Sequence, residues 1–291
     1  MHLITILVAL WLHGRIDGHA PWRDEQRQLG SLGRLHGRLA QARIWDSPVG
    51  LILVMLPPVA LVALAQWLLA GVLMGIPQLG LGLVLLLWAL GEGRIDRSLE
   101  RLDRALAGGD GVAAAREAGR LAPGVVVPRD VDGQVRTALA GAFQRAGDTV
   151  FAPVFWFLVL GPVGIVLYRV SYLAWRYGAR AANPGPRFRR SARRVFVVLA
   201  WIPARLTALA LGLAGSLSDA WRGWQLARAT EGDSHRAVLW GAGFGALRFP
   251  EHGGALDEPE RWVKEARQLL FRTLVVWLVA IALLTLTGWL A

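Results

Sequence analysis

Two ionisable residues stand where charge is expensive, and a third stands at the edge of the first apolar run. Asp148 closes a polar stretch just before the apolar run 149–175, Arg169 lies inside that run, and Arg205 lies inside a second one, 195–217. A charged side chain at the centre of a bilayer costs at least about 2.5–3.5 kcal/mol, so such groups pair or line a polar cavity. Two guanidiniums in apolar runs suit an anionic ligand; equally, their aliphatic stems allow them to snorkel to headgroups. The residues alone leave both readings open.

Other chemistry-bearing patterns are weaker. Asp233-Ser234-His235 places three nucleophile-type side chains in sequence, but a catalytic triad is assembled in space, so this reads as a polar loop. Residues 241–247 (GAGFGAL) superficially match a phosphate loop. No strand precedes them and no GK[ST] follows, so close helix packing explains them better. The histidines at 2, 13, 19, 36, 235 and 252 are scattered without HExxH or an i, i+4 pair, so their spacing proposes no zinc site. With no cysteine, disulfides, thiolate metal sites and a cysteine nucleophile are excluded. No cofactor is implied.

The elements that must position these residues are membrane segments. Of 291 residues, 54% are hydrophobic and 34 more are glycine, and the mean hydropathy is +0.41. A bilayer accommodates that surface where a soluble fold would struggle to bury it. The formal charge of +11 comes almost wholly from arginine, with Lys264 the one lysine. The arginines cluster at the edges of apolar runs, which fits anionic headgroups and no nucleic-acid motif.

Along the chain, residues 3–12 are too few to cross a bilayer, which needs about 20; they read as a partial or interfacial helix. Leu29, Leu32, Leu35 and Leu39 recur at helical spacing in the polar stretch 14–47, predicting an amphipathic helix along the membrane surface. Residues 49–73 and 76–90 carry no charge and read as a helical hairpin turning at Gly75-Ile76-Pro77, with Pro57-Pro58 kinking its first arm. Residues 91–148 read as a polar helical subdomain: one helix with Leu99, Leu102 and Leu106 on its apolar face, a second over Val112–Leu121 and a third near 130–146. Residues 269–291 form a terminal transmembrane helix. Trp11, Trp45, Trp88, Trp175, Trp201 and Trp289 near segment ends read as an aromatic belt. The fold expected is an all-α polytopic membrane protein with about four or five embedded segments.

Topology adds a conflict. If 14–47 and 91–148 share the cytoplasmic side, a full crossing by 149–175 carries the seven arginines of 176–194 outside, against the positive-inside rule. The favoured resolution is a broken, re-entrant pair bent at Gly161-Pro162; the other is that the basic cluster is external.

The string APVFWFLVLGPVGIVLYR (152–169) followed by WIPARLT (201–207) resembles the AmpE/CobD membrane-protein superfamily, and the opening MHLITILVALWLHGRIDGHAPW is similar to the start of AmpE proteins. The resemblance implies one membrane domain over 1–291. Its two branches differ in what they imply. The CobD/CbiB branch are ATP-dependent amide synthases acting on the corrin ring in cobalamin assembly. AmpE proteins are multi-pass inner-membrane proteins linked to β-lactamase regulation and cell-wall response, without established catalysis. The synthase branch carries acidic residues where Ala140 and Gln144 stand, an Asn where Arg145 stands, and a DDxxN pattern where Phe196, Val197 and Ala200 stand; Asp148 is kept. ATP-dependent amide formation needs carboxylates to hold Mg²⁺, so the resemblance favours AmpE and a binding role over an enzyme. It implies a ligand pocket between 149–175 and 195–217, involving Asp148, Pro153, Trp156, Tyr168, Arg169 and Arg205. The partners expected are anionic lipid headgroups and an anionic small molecule or cell-wall-derived ligand, and not nucleic acid.

Overall fold

The computed structural model describes residues 2–15, 25–40, 46–69, 76–90, 95–181, 184–250 and 256–287. These form twelve α-helices and no strand: α1 His2–Arg15, α2 Glu25–Ala40, α3 Pro48–Leu68, α4 Ile76–Leu90, α5 Ile95–Ala107, α6 Gly111–Leu121, α7 Val131–Ala146, α8 Ala152–Arg180, α9 Pro186–Ala214, α10 Leu217–Glu231, α11 His235–Leu247 and α12 Pro259–Leu286. A π-helical turn, Gly147–Phe151, joins α7 to α8. Five helices are long and apolar enough to cross a membrane, among them Pro48–Leu68, Pro186–Ala214 and Pro259–Leu286. Their outward faces are apolar. Along α12, Phe271, Val275, Val279 and Leu283 are exposed at four-residue spacing, and along α9 Val198, Ile202, Leu206 and Leu209 are exposed three or four residues apart. Such rows are the lipid-facing stripe of a membrane helix. The chain is an all-α polytopic membrane protein.

The helices gather into two compact units. The first holds Met1–Gly93, Thr149–Ala200 and Leu284–Ala291; the second holds Arg94–Asp148 and Trp201–Leu283. In the first, α3 and α4 pack on α8, and α1 packs on α4 with Ile6 and Ala9 buried. The amphipathic α2 does not leave its apolar face to headgroups: Leu29 and Leu32 pack against the two apolar clusters of this unit, Leu35 against one, and α2 lies on α8. The side chain of Leu39, the Gly75 turn, Trp45 and Trp289 lie outside the described residues. Trp88 and Trp175 are partly buried against an apolar cluster of this unit, and Trp175 stacks on Phe196 with centroids 4.5 Å apart.

Helix α8 is broken where Gly161-Pro162 predicts. Gly161 has φ 64° and ψ −149°, a region open essentially to glycine alone, and helical backbone continues on both sides of it. The break strips partners from the first amides of the second half. Pro162 has no N–H to lose, and the Val163 N–H is met by the side-chain carbonyl of Gln66 in α3 at 3.4 Å. Helix α3 itself runs on through Pro57 and Pro58, started by Ser47, whose hydroxyl accepts from the Gly50 N–H.

The basic stretch is helical from Pro186 onward, so α9 begins well before the apolar run. Proline suits the first turn and arginine is a good helix former. The carboxylate of Asp46, remote in sequence, accepts from the Arg187 and Phe188 N–H groups at 2.7 and 3.1 Å and so caps that helix. Ala182, at which labelling would orient this segment, lies outside the described residues.

In the second unit, α5, α6 and α7 pack together with α10, α11 and α12 around Leu99, Leu102, Leu139, Phe143, Val238 and Leu269. Asp110 and Asp130 cap α6 and α7. Thus 95–148 folds with 201–283.

A Gly161→Ala substitution places a Cβ in the disallowed region and is expected to cost about 1–3 kcal/mol. A lower thermal midpoint of the detergent-purified protein is the expected readout, and an unchanged midpoint contradicts the break.

Candidate functional site

The residues singled out by sequence divide between the units. Pro153, Trp156, Tyr168 and Arg169 lie in the first, Asp148 and Arg205 in the second.

In the first unit, Arg169 lies on α8 beyond the Gly161 break and is 2% exposed. Its Nη2 donates to the side-chain carbonyl of Gln28 at 2.9 Å, and the guanidinium stands 5.2 Å from the Tyr172 ring and 5.9 Å from Trp88. Further along the same helix, Arg176 donates to Glu25 at 2.9 Å and Arg180 reaches the same carboxylate at 3.5 Å. His36 shares a 2.6 Å hydrogen bond with the Tyr177 hydroxyl. One face of α8 thus presents cations to one face of α2, which answers with an amide and a carboxylate. The Arg169 charge is neither snorkelling to solvent nor bare: it is sealed by α2, with aromatic faces at cation–π distance. Pro153 is buried in the first turn of α8, and Trp156 donates its indole N–H to the Leu199 carbonyl at 3.1 Å. Tyr168 is fully buried against Phe196.

In the second unit, Asp148 and Arg205 converge on one short connection, Asp233–His235. The Arg205 guanidinium is ion-paired with Asp233, stacks 3.8 Å over the Trp201 ring and donates to the Trp201 carbonyl. Arg228 lies 3.8 Å from the same carboxylate. Ser234 caps α11, its hydroxyl accepting from the Ala237 N–H. His235 is buried, with Nε2 at 3.8 Å from an oxygen of the equally buried Asp148. Gln144 donates to Asp148 at 3.4 Å and accepts from Arg236 at 3.0 Å.

Of the tripeptide read as a polar loop, Asp233 and Ser234 do lie in the connection while His235 opens α11, and the three side chains point at three different partners. Sequence reasoning missed His235 because its partner lies 87 positions away on the π turn that ends α7; the Ser-capped helix start was the local signal available. A buried carboxylate–imidazole pair can hold or pass a proton, and π turns recur at functional sites. The glycine-rich 241–247 segment lies in α11, packed on α10. Among the described residues no three His, Asp or Glu converge as metal ligands would.

Replacing Gln28 by Leu removes one acceptor from the sealed Arg169 guanidinium. The loss expected is about 1.5–3 kcal/mol, as for a hydrogen bond to a charged group. A chemical-unfolding midpoint equal to that of the unsubstituted protein would sink this account of α2.

Curated relatives similar to this chain carry the name cobalamin biosynthesis protein CobD. The protein from Chromobacterium violaceum is 32% identical over 192 residues, 66% of this chain and 61% of the relative. That from Stutzerimonas stutzeri is 32% identical over 177 residues, 55% and 57% of the two chains, and that from Brucella suis 36% over 106 residues, 35% and 32%. The chain spans about three fifths of the length of the first two relatives. No solved structure matches. The family described as regulatory signalling modulator protein AmpE matches residues 3–291, nearly every residue of the sequence. On that match the chain belongs to the AmpE family, within a superfamily that includes proteins named CobD.

Proposed function

We propose that this chain is a regulatory, sensory component of the bacterial inner membrane, linked to β-lactamase induction and the cell-wall response to β-lactams, and that it acts by binding rather than turnover. The observation that carries the reading is how its ionisable groups are used. Arg169 and Arg205 are bound to side chains of their own units, and the positions aligned with synthase carboxylates hold Ala140 and Gln144. Without a set of carboxylates there is little to hold Mg²⁺ against a nucleotide. The π turn with its Asp148–His235 pair and the Asp233–Arg205 pair meet at the start of α11. An anionic ligand competing with Asp233 for Arg205 would free that connection, a local charge event of the kind that switches use.

A second reading draws on relatives named cobalamin biosynthesis protein CobD, and on what the resemblance to that branch implies: an ATP-dependent amide synthase with a remodelled site. The buried Asp148–His235 pair is the feature that supports it, since proton transfer is part of such chemistry.

The binding reading is tested in cells deleted for this chain and complemented with Arg205→Ala or Arg169→Ala at equal membrane levels. β-Lactamase induction is expected to fall several-fold with either variant. Unchanged induction would remove the two arginines from the function.

A further inference from the structure

Apart from those residues, the second unit holds a groove of about 820 Å³ between α10 and α11, within the range of small-molecule sites. Its floor is where the two helices meet backbone to backbone: a Cβ on Gly223 would stand 2.3 Å from the Gly241 carbonyl. Contact that close leaves the larger side chains to form walls. Those walls are apolar at Leu226, Trp240, Phe244 and Phe249, with three arginines, 136, 222 and 248, against one acid, Asp219.

Each charged group has a defined setting. Arg136 donates to the Pro250 carbonyl at 2.7 Å and lies over the Phe249 ring at 4.8 Å. Asp219 accepts from Arg248 at 2.8 Å and lies 3.5 Å from Arg222. The Ser216 hydroxyl first, and Arg248 second, hold the Asp219 carboxyl below its ordinary range; it is ionised at neutral pH and cancels one arginine of three. Glu231 sits beyond the rim, where it accepts from the Trp240 indole, and the balance stays positive. The Arg222 and Arg248 side chains are 69% and 75% exposed, so the cations are open to an incoming group.

Arg248 carries an independent signal. It is the one non-glycine residue with positive φ among the described residues, at φ 54° and ψ 39°, closing α11 where glycine is the usual choice. An arginine kept in that conformation points to a use for its side chain. Exposed Leu217, Trp221 and Leu226 lie on the same helix as Arg222. Tryptophan and leucine beside arginine on one helix mark the level of lipid headgroups.

We propose that the α10–α11 groove is a binding site for the headgroup phosphate of an anionic glycerophospholipid. The phosphate would be met by Arg222, Arg248 and Arg136, with the start of the acyl chains on the apolar wall. The inference is independent of the signalling role proposed above.

Native mass spectrometry of the detergent-purified chain, titrated with phosphatidylglycerol and with phosphatidylcholine of the same acyl chains, tests this. The anionic lipid is expected to bind more tightly. Arg222→Ala and Arg248→Gly should each weaken it about fivefold, the effect of one basic group near an anionic surface, while leaving phosphatidylcholine binding as it was. Arg248→Gly suits the backbone, so its thermal midpoint should not fall; if it does, Arg222→Ala carries the test. Arg116→Ala, a substitution on α6 with the same charge change, should leave binding intact. Equal binding of the two lipids, an equal loss in Arg116→Ala, or displacement by soluble glycerol phosphate at comparable concentration would each overturn the proposal.

Discussion

A guanidinium shut away from water must be met by acceptors, and in the first unit that requirement organises much else. Arg169 is almost wholly sealed, and what seals it is α2. Its patterning would suit a helix lying on a membrane surface, yet it is seated on α8 by Gln28 and Glu25, with Leu29 and Leu32 packed between. An uncompensated charge in an apolar interior costs several kcal/mol, and moving α2 would take from Arg169 the acceptor that Gln28 supplies. The amphipathic helix, the arginine face of α8 and the aromatic pair Tyr172 and Trp88 form one electrostatic and packing unit.

The same logic runs through the broken backbone. Opening α8 at Gly161 would leave an amide bare at membrane depth, and Gln66 supplies its acceptor from a helix otherwise apolar. At the start of α9 the acceptor is Asp46, which also offsets the positive end of a helix whose first turns carry arginines. At the Gly161 break and at the start of α9 alike, a residue distant in sequence supplies the acceptor.

That pairing also explains how far the sequence could be read. Hydropathy and helical periodicity locate the apolar helices and the faces of α5, α6 and α7, because those signals are local. The Gly161-Pro162 break was legible because glycine and proline act on their own backbone. Gln28, Gln66 and Asp46 were not, since each owes its role to a partner roughly a hundred or more positions away, and an isolated Gln or Asp carries no mark of it. Arg169 and Arg205 stood out by cost alone, but nothing local showed that a glutamine would take one and an aspartate the other. His235 looked like part of a loop because the helix it begins is capped by its neighbour, and its partner Asp148 lies on a π turn that no periodicity describes.

Family membership and these geometries meet at Asp148. Asp148, the residue that the resemblance to the CobD/CbiB branch retains, is buried with an imidazole and a glutamine amide. The function proposed above makes this a binding protein on a frame shared with proteins named CobD. The measurement that tests it most directly is ADP release by the purified chain supplied with Mg-ATP, a corrinoid carboxylate and an amino alcohol. Release no faster than from the detergent buffer is predicted. Turnover that depends on both co-substrates and disappears in Asp148→Asn would contradict the account and restore the synthase.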